Sequence, residues 1–318
     1  LKHCIAANEK DIRTLYSKNY NTLPVARSAK FYLQIYKIKY NDQTSASTAS
    51  TGGRALQTFL YLCIYFIFTQ LMQAFIPSAG LGTRLRPLTD DRPKALVSIG
   101  GKTLLERAIQ RVQTAGAKRI VVNVHHHADQ IIEFVQGRDW GAEICISDER
   151  ESLLDTGGGL RHAAPLFDPD DPILIHNVDV LSEISLEELL QTHRHNGNLV
   201  TLAVSRRDSS RLLLFGTNLR LVGWRNSKDN RCLWSADTPA VHPAALAYSG
   251  IAVADPRLLQ LLPAAPPPYP IVPEYVRLAK DYAVGAFEHD GHSWADVGRT
   301  ETLHQLEQQH RRHGKFFT

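Results

Sequence analysis

The sequence predicts an α/β fold in three layers, with helices covering both faces of a mostly parallel mixed sheet and a small antiparallel extension. Three observations predict it. From Met72 onward, short apolar runs alternate with segments whose apolar residues recur at helical spacing, the pattern of strands joined by crossover helices. The first apolar run leads straight into a glycine-containing turn. Between 211 and 255 the pattern changes to short strands and turns in succession, which reads as an antiparallel extension or lid.

Taken in order, 73–77 (QAFIP) reads as a strand running into the glycine turn. The stretch 103–116 places Leu105, Ile109 and Val112 on one helical face, and Gly116 stops it. A β-branched run at 119–124 (RIVVNV) is a buried strand by type, and 128–137 is again helical with a terminal glycine. Strands are expected at 142–147 and 172–177. A helix over 185–197 opens with the Ser185 N-cap and a glutamate three residues on, and a strand over 198–205 follows it. A proline-rich surface loop at 263–270 precedes a helix at 273–280, and 300–314 forms a terminal helix. There is no internal repeat.

Apolar residues make up 43% of the 318 residues and charged ones 21%, enough for a soluble protein with a sizeable core. The charge is uneven. Residues 1–71 carry nine Lys/Arg against three Asp/Glu, whereas 72–318 carry twenty-seven against twenty-nine. That balance excludes a bulk basic nucleic-acid binder from 72 onward. Four widely spaced cysteines with no CxxC favour reduced thiols in a cytoplasmic protein.

The first 71 residues differ in composition from the rest, with a low-complexity TSASTASTGG at 44–53 and no sustained period. The only methionine is Met72, immediately before QAFI. We read 1–71 as upstream sequence outside the native fold and 72–318 as the catalytic domain. The competing reading makes 59–68 (FLYLCIYFIF) a membrane anchor; ten apolar residues fall short of the roughly 20 that span a bilayer. No membrane association is expected.

The glycine turn lies in IPSAGLGTRLRPLTDDRPKAL, 76–96. Small residues behind a strand expose backbone N–H groups that can bind an anion. The dinucleotide pattern GxGxxG fails at Leu85, and the P-loop pattern is absent because Gly80 is followed five residues later by Leu85, not by Gly-Lys. Arg84 and Lys94 supply the positive charge beside the turn.

At 79–106, AGLGTRLRPLT followed by RPKALVSIGGKTLLE resembles the signature of sugar-1-phosphate nucleotidyltransferases, usually written GxGTRLxPLT followed by PK. The likeness continues through most of 72–318, with Pro77-Ser78 as a local departure. It implies a Rossmann-like fold of the nucleotide-diphospho-sugar transferase type. It implies an enzyme that joins a nucleoside monophosphate from an NTP, UTP or GTP, to a sugar 1-phosphate and releases pyrophosphate. The residues matching the family's nucleotide loop are Ala79, Gly80, Leu81, Gly82 and Thr83, and its catalytic pair is Arg84 and Lys94. Attack on the α-phosphorus needs its charge offset, and an arginine fork with a mobile lysine suits that need. As a phosphate-loop lysine, Lys94 is expected to be exposed in the free protein.

The resemblance also implies Mg²⁺ as cofactor, held by Asp179 at the end of ILIHNVDV (173–180) and by Asp296 of WADVG (294–298). Two carboxylates with phosphate oxygens and water suit that ion. Asn177 falls near the sugar phosphate, as do Ser249 and Gly250 of YSGIAV (248–253). Gly157 and Gly158, in three glycines expected to precede a helix, and Asn123 at the end of IVVNV match contacts to the nucleotide. His125, His126 and His127 are read as a strand-to-helix junction rather than a metal site, because adjacent residues point in different directions.

Within the family, the sequence is most similar to the N-acetylmuramate-1-phosphate uridylyltransferase group, with mannose- or heptose-1-phosphate guanylyltransferases as the alternative. Base and sugar stay open. A non-catalytic nucleotide-sugar-binding regulatory subunit is the alternative of another class. Such relatives usually lose the arginine, the lysine or a metal aspartate, and this chain keeps all four residues.

Overall fold

The structure is a computed structural model that describes residues 72–236, 242–264 and 268–317. Met72–Thr318 is one compact unit. The readings of 1–71, including the apolar run at 59–68, lie outside the described residues. Among the described residues, no helix is long and apolar enough to cross a membrane.

The elements follow in chain order. Strand β1 (Met72–Pro77) leads into the glycine loop, and a small hairpin, β2 (Ser98–Ile99) and β3 (Lys102–Thr103), precedes helix α1 (Leu104–Thr114). Then come β4 (Ala117–Val124), α2 (Ala128–Gln136), β5 (Glu143–Asp148), α3 (Asp155–His162), β6 (Ile173–His176) and β7 (Val180–Ser182). Helix α4 (Leu186–Asn196) is followed by β8 (Val200–Ser205), β9 (Arg211–Phe215), β10 (Leu221–Asn226), β11 (Arg231–Trp234) and β12 (Ala244–Ala254). The last elements are α5 (Leu258–Leu261), α6 (Ile271–Leu278), β13 (Val284–Glu288), β14 (Trp294–Asp296) and α7 (Thr300–His313).

β1 lies between β4 and β6 and is parallel to both, and β5 continues the parallel set beyond β4. β12 runs antiparallel between β6 and β8, and β13 pairs parallel with β8. The first residues of β12 pair instead with β9, which continues antiparallel to β10 and β11. One long strand therefore belongs to both the main sheet and the antiparallel extension.

The central strands are apolar on both faces, as strands covered by helices on each side must be. Ala74 and Ile76 of β1 and Ile120 and Val122 of β4 pack with α1, α2, α4 and α7. Phe75, Val121, Ile173 and Ile175 point the other way, toward α3, α5 and α6. The Ser185 cap agrees with the sequence, its side chain accepting from Glu188 N, and Thr103 caps α1 in the same way, accepting from Glu106 N.

The strand expected at 172–177 spans Ile173–His176, and Asp179 follows it in the turn between β6 and β7. Two expectations are corrected. Gly157, Gly158 and Gly159 lie inside α3, not before it. The helix expected at 273–280 starts at Ile271, with Pro273 in its first turn where the missing N–H costs little.

Candidate active site

The loop after β1, the ends of β4 and β6, and the chain leaving β14 meet at the carboxyl edge of the sheet, the edge where open α/β sheets bind ligands. Ser78 and Ala79 are buried at the loop's start. Their N–H groups donate to Asn123 Oδ1 at 2.6 and 3.3 Å. Gly80 and Leu81 are exposed and form the open part of the loop. Gly82 is left-handed at φ 66°, and a Cβ there would lie 3.0 Å from both Lys94 Cβ and Thr89 Cγ2. Glycine is required on both counts. Thr89 Oγ1 donates to Gly82 O at 2.9 Å, and the buried Leu85 anchors the short turn that carries Thr83 and Arg84.

Lys94 follows Pro93 into a second short turn and pairs with Asp179. Their side chains are only 13% and 14% exposed, which corrects the expectation of an exposed lysine. Asp296 reaches the same place by a different route. β14 pairs antiparallel with β7, setting Asp296 opposite Val180, and Val297 N donates to Asp179 O at 2.8 Å. The carboxyl groups of Asp179 and Asp296 lie close enough for each to shift the other's protonation. A Cβ built on Gly298 would lie 2.6 Å from Asp296 Oδ1 and 3.0 Å from Arg84 Nη2, so the Arg84 guanidinium and Asp296 converge there.

The two carboxyls titrate differently. Burial pushes Asp179 up, but the charge and hydrogen bond of Lys94 outweigh it and hold Asp179 below the usual range. Burial and the neighbouring Asp179 push Asp296 up. Asp296 Oδ1 is buried without a hydrogen-bond partner. Two crowded carboxylates, one with an orphaned oxygen, fit a divalent cation that takes oxygen ligands. The site thus brings together Arg84, Lys94, Asp179 and Asp296.

Among the residues expected to contact the sugar phosphate, Asn177 N donates to Gly250 O at 2.9 Å. Gly250 has φ 74°, and a Cβ there would meet Asn177 Nδ2 at 2.7 Å, so the two residues sit face to face. Ser249 is turned inward: its hydroxyl bonds His289 Nε2 at 2.7 Å and accepts from Arg207 Nη1 at 3.0 Å. The Arg207 guanidinium lies 3.9 Å from the Trp294 ring centroid, and Trp294 Nε1 donates to Ser249 O at 2.8 Å.

Among the residues expected to contact the nucleotide, Gly157 packs against Tyr269, whose ring would lie 2.5 Å from a Cβ and whose carbonyl accepts from Gly157 N at 3.0 Å. Gly158 N reaches the same carbonyl at 3.3 Å. The third glycine, Gly159, faces Asn123. Asn123 is buried, and its Nδ2 donates to Glu149 Oε1 at 2.7 Å. His125 Nδ1 contacts Glu149 O at 2.7 Å, and His127 caps α2 in a left-handed conformation with φ 53°. The three histidines therefore turn the chain from β4 into α2.

Glu149 and Arg207 escaped the sequence reading. Each stands among polar residues, in SDERES and SRRDSS, and looks like part of a solvated turn. Only the fold shows Glu149 to be 3% exposed and Arg207 half-buried. Trp294 carried a signal, since it opens the segment that contains Asp296.

The nucleotidyl transferase family model matches residues 73–217. The N-acetylmuramate alpha-1-phosphate uridylyltransferase of Caulobacter vibrioides is 34% identical over 236 residues, covering 71% of this chain and 91% of the relative. A probable mannose-1-phosphate guanylyltransferase of Oryza sativa subsp. japonica is 33% identical over 43% of this chain and 39% of its own length. The UDP-glucose pyrophosphorylase structure from Acinetobacter baumanii superposes with a TM-score of 0.62 at 16% identity, over 77% of this chain and 95% of that one. With the glycine loop and the sheet arranged as described, the chain belongs to the nucleotidyl transferase family, as a sugar-1-phosphate nucleotidyltransferase.

Proposed function

We propose that the protein transfers uridylate from UTP to N-acetylmuramate α-1-phosphate in a Mg²⁺-dependent reaction, giving the nucleotide sugar and pyrophosphate. The convergence of Arg84, Lys94, Asp179 and Asp296 supports the chemistry. The relative matched over 91% of its length supports the choice of base and sugar. Guanylyl transfer to mannose 1-phosphate is the second reading, motivated by relatives that share a smaller part of their length with this chain.

In this reading an oxygen of the sugar phosphate attacks the α-phosphorus, the bond to the β-phosphate oxygen breaks, and pyrophosphate leaves with the electron pair. Little covalent chemistry falls to the protein, so positioning and charge stabilisation carry the rate. The open loop around Gly80 binds the triphosphate, and Arg84 grips it with a bidentate fork. Lys94 leaves Asp179 and places its ammonium at the α-phosphate, where negative charge builds in the transition state. Asp179 and Asp296 would hold the cation, which when bound offsets charge on the α-phosphate and the sugar phosphate. Asn177 and Gly250 line the acceptor side.

The test offers each of the four NTPs with a panel of sugar 1-phosphates and measures pyrophosphate release. UTP with N-acetylmuramate 1-phosphate should give the highest kcat/KM. A preference for GTP with mannose 1-phosphate would select the second reading, and no release with any pair would overturn both.

A further inference from the structure

Asn123 was expected beside the nucleotide, yet both ends of its amide are engaged inside the protein. An asparagine amide has two ends of opposite polarity. Here the oxygen accepts from Ser78 N and Ala79 N at 2.6 and 3.3 Å, and the nitrogen donates to Glu149 Oε1 at 2.7 Å. The reversed orientation would set an NH₂ group against two backbone N–H donors and a carbonyl oxygen against a carboxylate. Glu149 therefore enforces the orientation from the far side. Its other oxygen accepts from Leu154 N at 3.3 Å, the residue just before α3. Helix α3 can approach this pair only because residue 159 is glycine: a Cβ there would lie 2.6 Å from Glu149 Oε1 and 2.8 Å from Asn123 Nδ2.

We propose that Glu149 is a positioning residue for nucleotide binding, one that sets the phosphate loop through Asn123 and locks that loop to the start of α3. The proposal rests on the reading of the loop at 79–83 as the triphosphate site. A buried carboxylate is costly unless its oxygens are satisfied, and the hydrogen bonds that satisfy this one all run to segments that flank the loop or α3. With Ser78 and Ala79 spent on Asn123, the chain leaves β1 in one fixed direction, and the exposed residues that follow are presented ready-formed. A preformed loop does not have to be ordered when the ligand binds.

The polarity of the network supplies its own test. Glu149→Gln leaves one of the two donors, Asn123 Nδ2 or Leu154 N, facing an NH₂ group. Adding Asn123→Asp to it restores every pairing: the introduced carboxylate accepts from the loop N–H groups and from the introduced amide, whose oxygen accepts from Leu154 N. UTP and GTP affinities are measured by calorimetry, KM is measured for nucleotide and for sugar phosphate, and folding is checked by thermal melting. We expect Glu149→Gln to weaken nucleotide binding at least tenfold while KM for the sugar phosphate changes less than twofold. The double variant should recover to within threefold of the wild type. Gly159→Ala, which pushes on the same pair from α3, should show the same nucleotide-selective loss and stands in if Glu149→Gln does not fold. Unaltered nucleotide affinity in the variants, equal loss toward both substrates, or a double variant no better than Glu149→Gln would each overturn the proposal. A wild-type protein that binds neither nucleotide would instead overturn the assignment of the loop.

Discussion

With Lys94 removed, Asp179 and Asp296 would face each other in a partly buried space, with Arg84 and Arg207 as the cations that still act on Asp296. Lys94→Ala should therefore do two things. Turnover should fall at least about a hundredfold, the usual scale for losing one transition-state stabiliser. Stability should fall by about 1–3 kcal/mol, less than the roughly 3–5 kcal/mol for breaking a fully buried pair, because the two carboxyls can share a proton. Asp296→Asn has the opposite signature. Burial and Asp179 raise the pKa of Asp296 in the folded state, so its ionised form costs stability, and wild-type stability declines as pH rises through that raised value. The variant should lack that decline and melt at or above the wild-type temperature at neutral pH while losing turnover. Melting curves and pyrophosphate release measure both. At this scale the sequence identified the charged residues from the motif. It could not show that Lys94 lies against Asp179 in the free protein, because that contact joins residues 85 positions apart.

Among the elements, α3 is where spacing misled most. Three successive glycines disfavour a helix by roughly 1 kcal/mol each relative to alanine, so the sequence placed them before one. Tertiary contact overrides that preference, since Tyr269 and the Asn123–Glu149 pair approach too closely for any side chain at 157 and 159. Gly157→Ala should therefore lower stability by about 1–3 kcal/mol, the usual range for overpacking, even though alanine is the better helix former. Denaturant midpoints decide between the two effects. Helix α4 illustrates a different dependence. Burial against β8 lowers the pKa of His193 from the ordinary 6.5 to about 4, with its Nδ1 against Thr201 Oγ1 at 3.1 Å. A depressed value means the unfolded chain takes up the proton first. The stability is present above pH 6.5 and lost as pH falls toward 4, up to about 3 kcal/mol for this group. The urea midpoint should drop across that window, and His193→Gln should drop less. The cap of α4 and its buried face were legible in the pattern of serine and leucines; the burial of a histidine on that face was not.

For the whole molecule, the parallel core was legible because alternating strands and helices allow few arrangements. The path of β12 was not, since no local pattern reveals that a single strand serves both the main sheet and the extension. The strands β7 and β14 were not expected either. The resemblance implied only that Asp179 and Asp296 share one ion, and it is the pairing of these two strands that sets Asp296 opposite Val180, beside Asp179. If these carboxylates hold the cation, chelator should abolish turnover and added Mg²⁺ restore it, with Mn²⁺ binding to the free protein lost in Asp179→Asn as an independent readout.

That pairing also imposes an order in time. β1, the glycine loop, Lys94 and Asp179 lie in the first half of the folded unit, whereas Asp296 arrives on one of its last strands. A nascent chain that has emerged only as far as residue 293 holds every strand of the main sheet, yet it lacks Asp296, because β14 pairs with β7 outside that sheet. If Asp296 holds the cation as proposed, catalysis would wait for this one late strand even after the main sheet is complete.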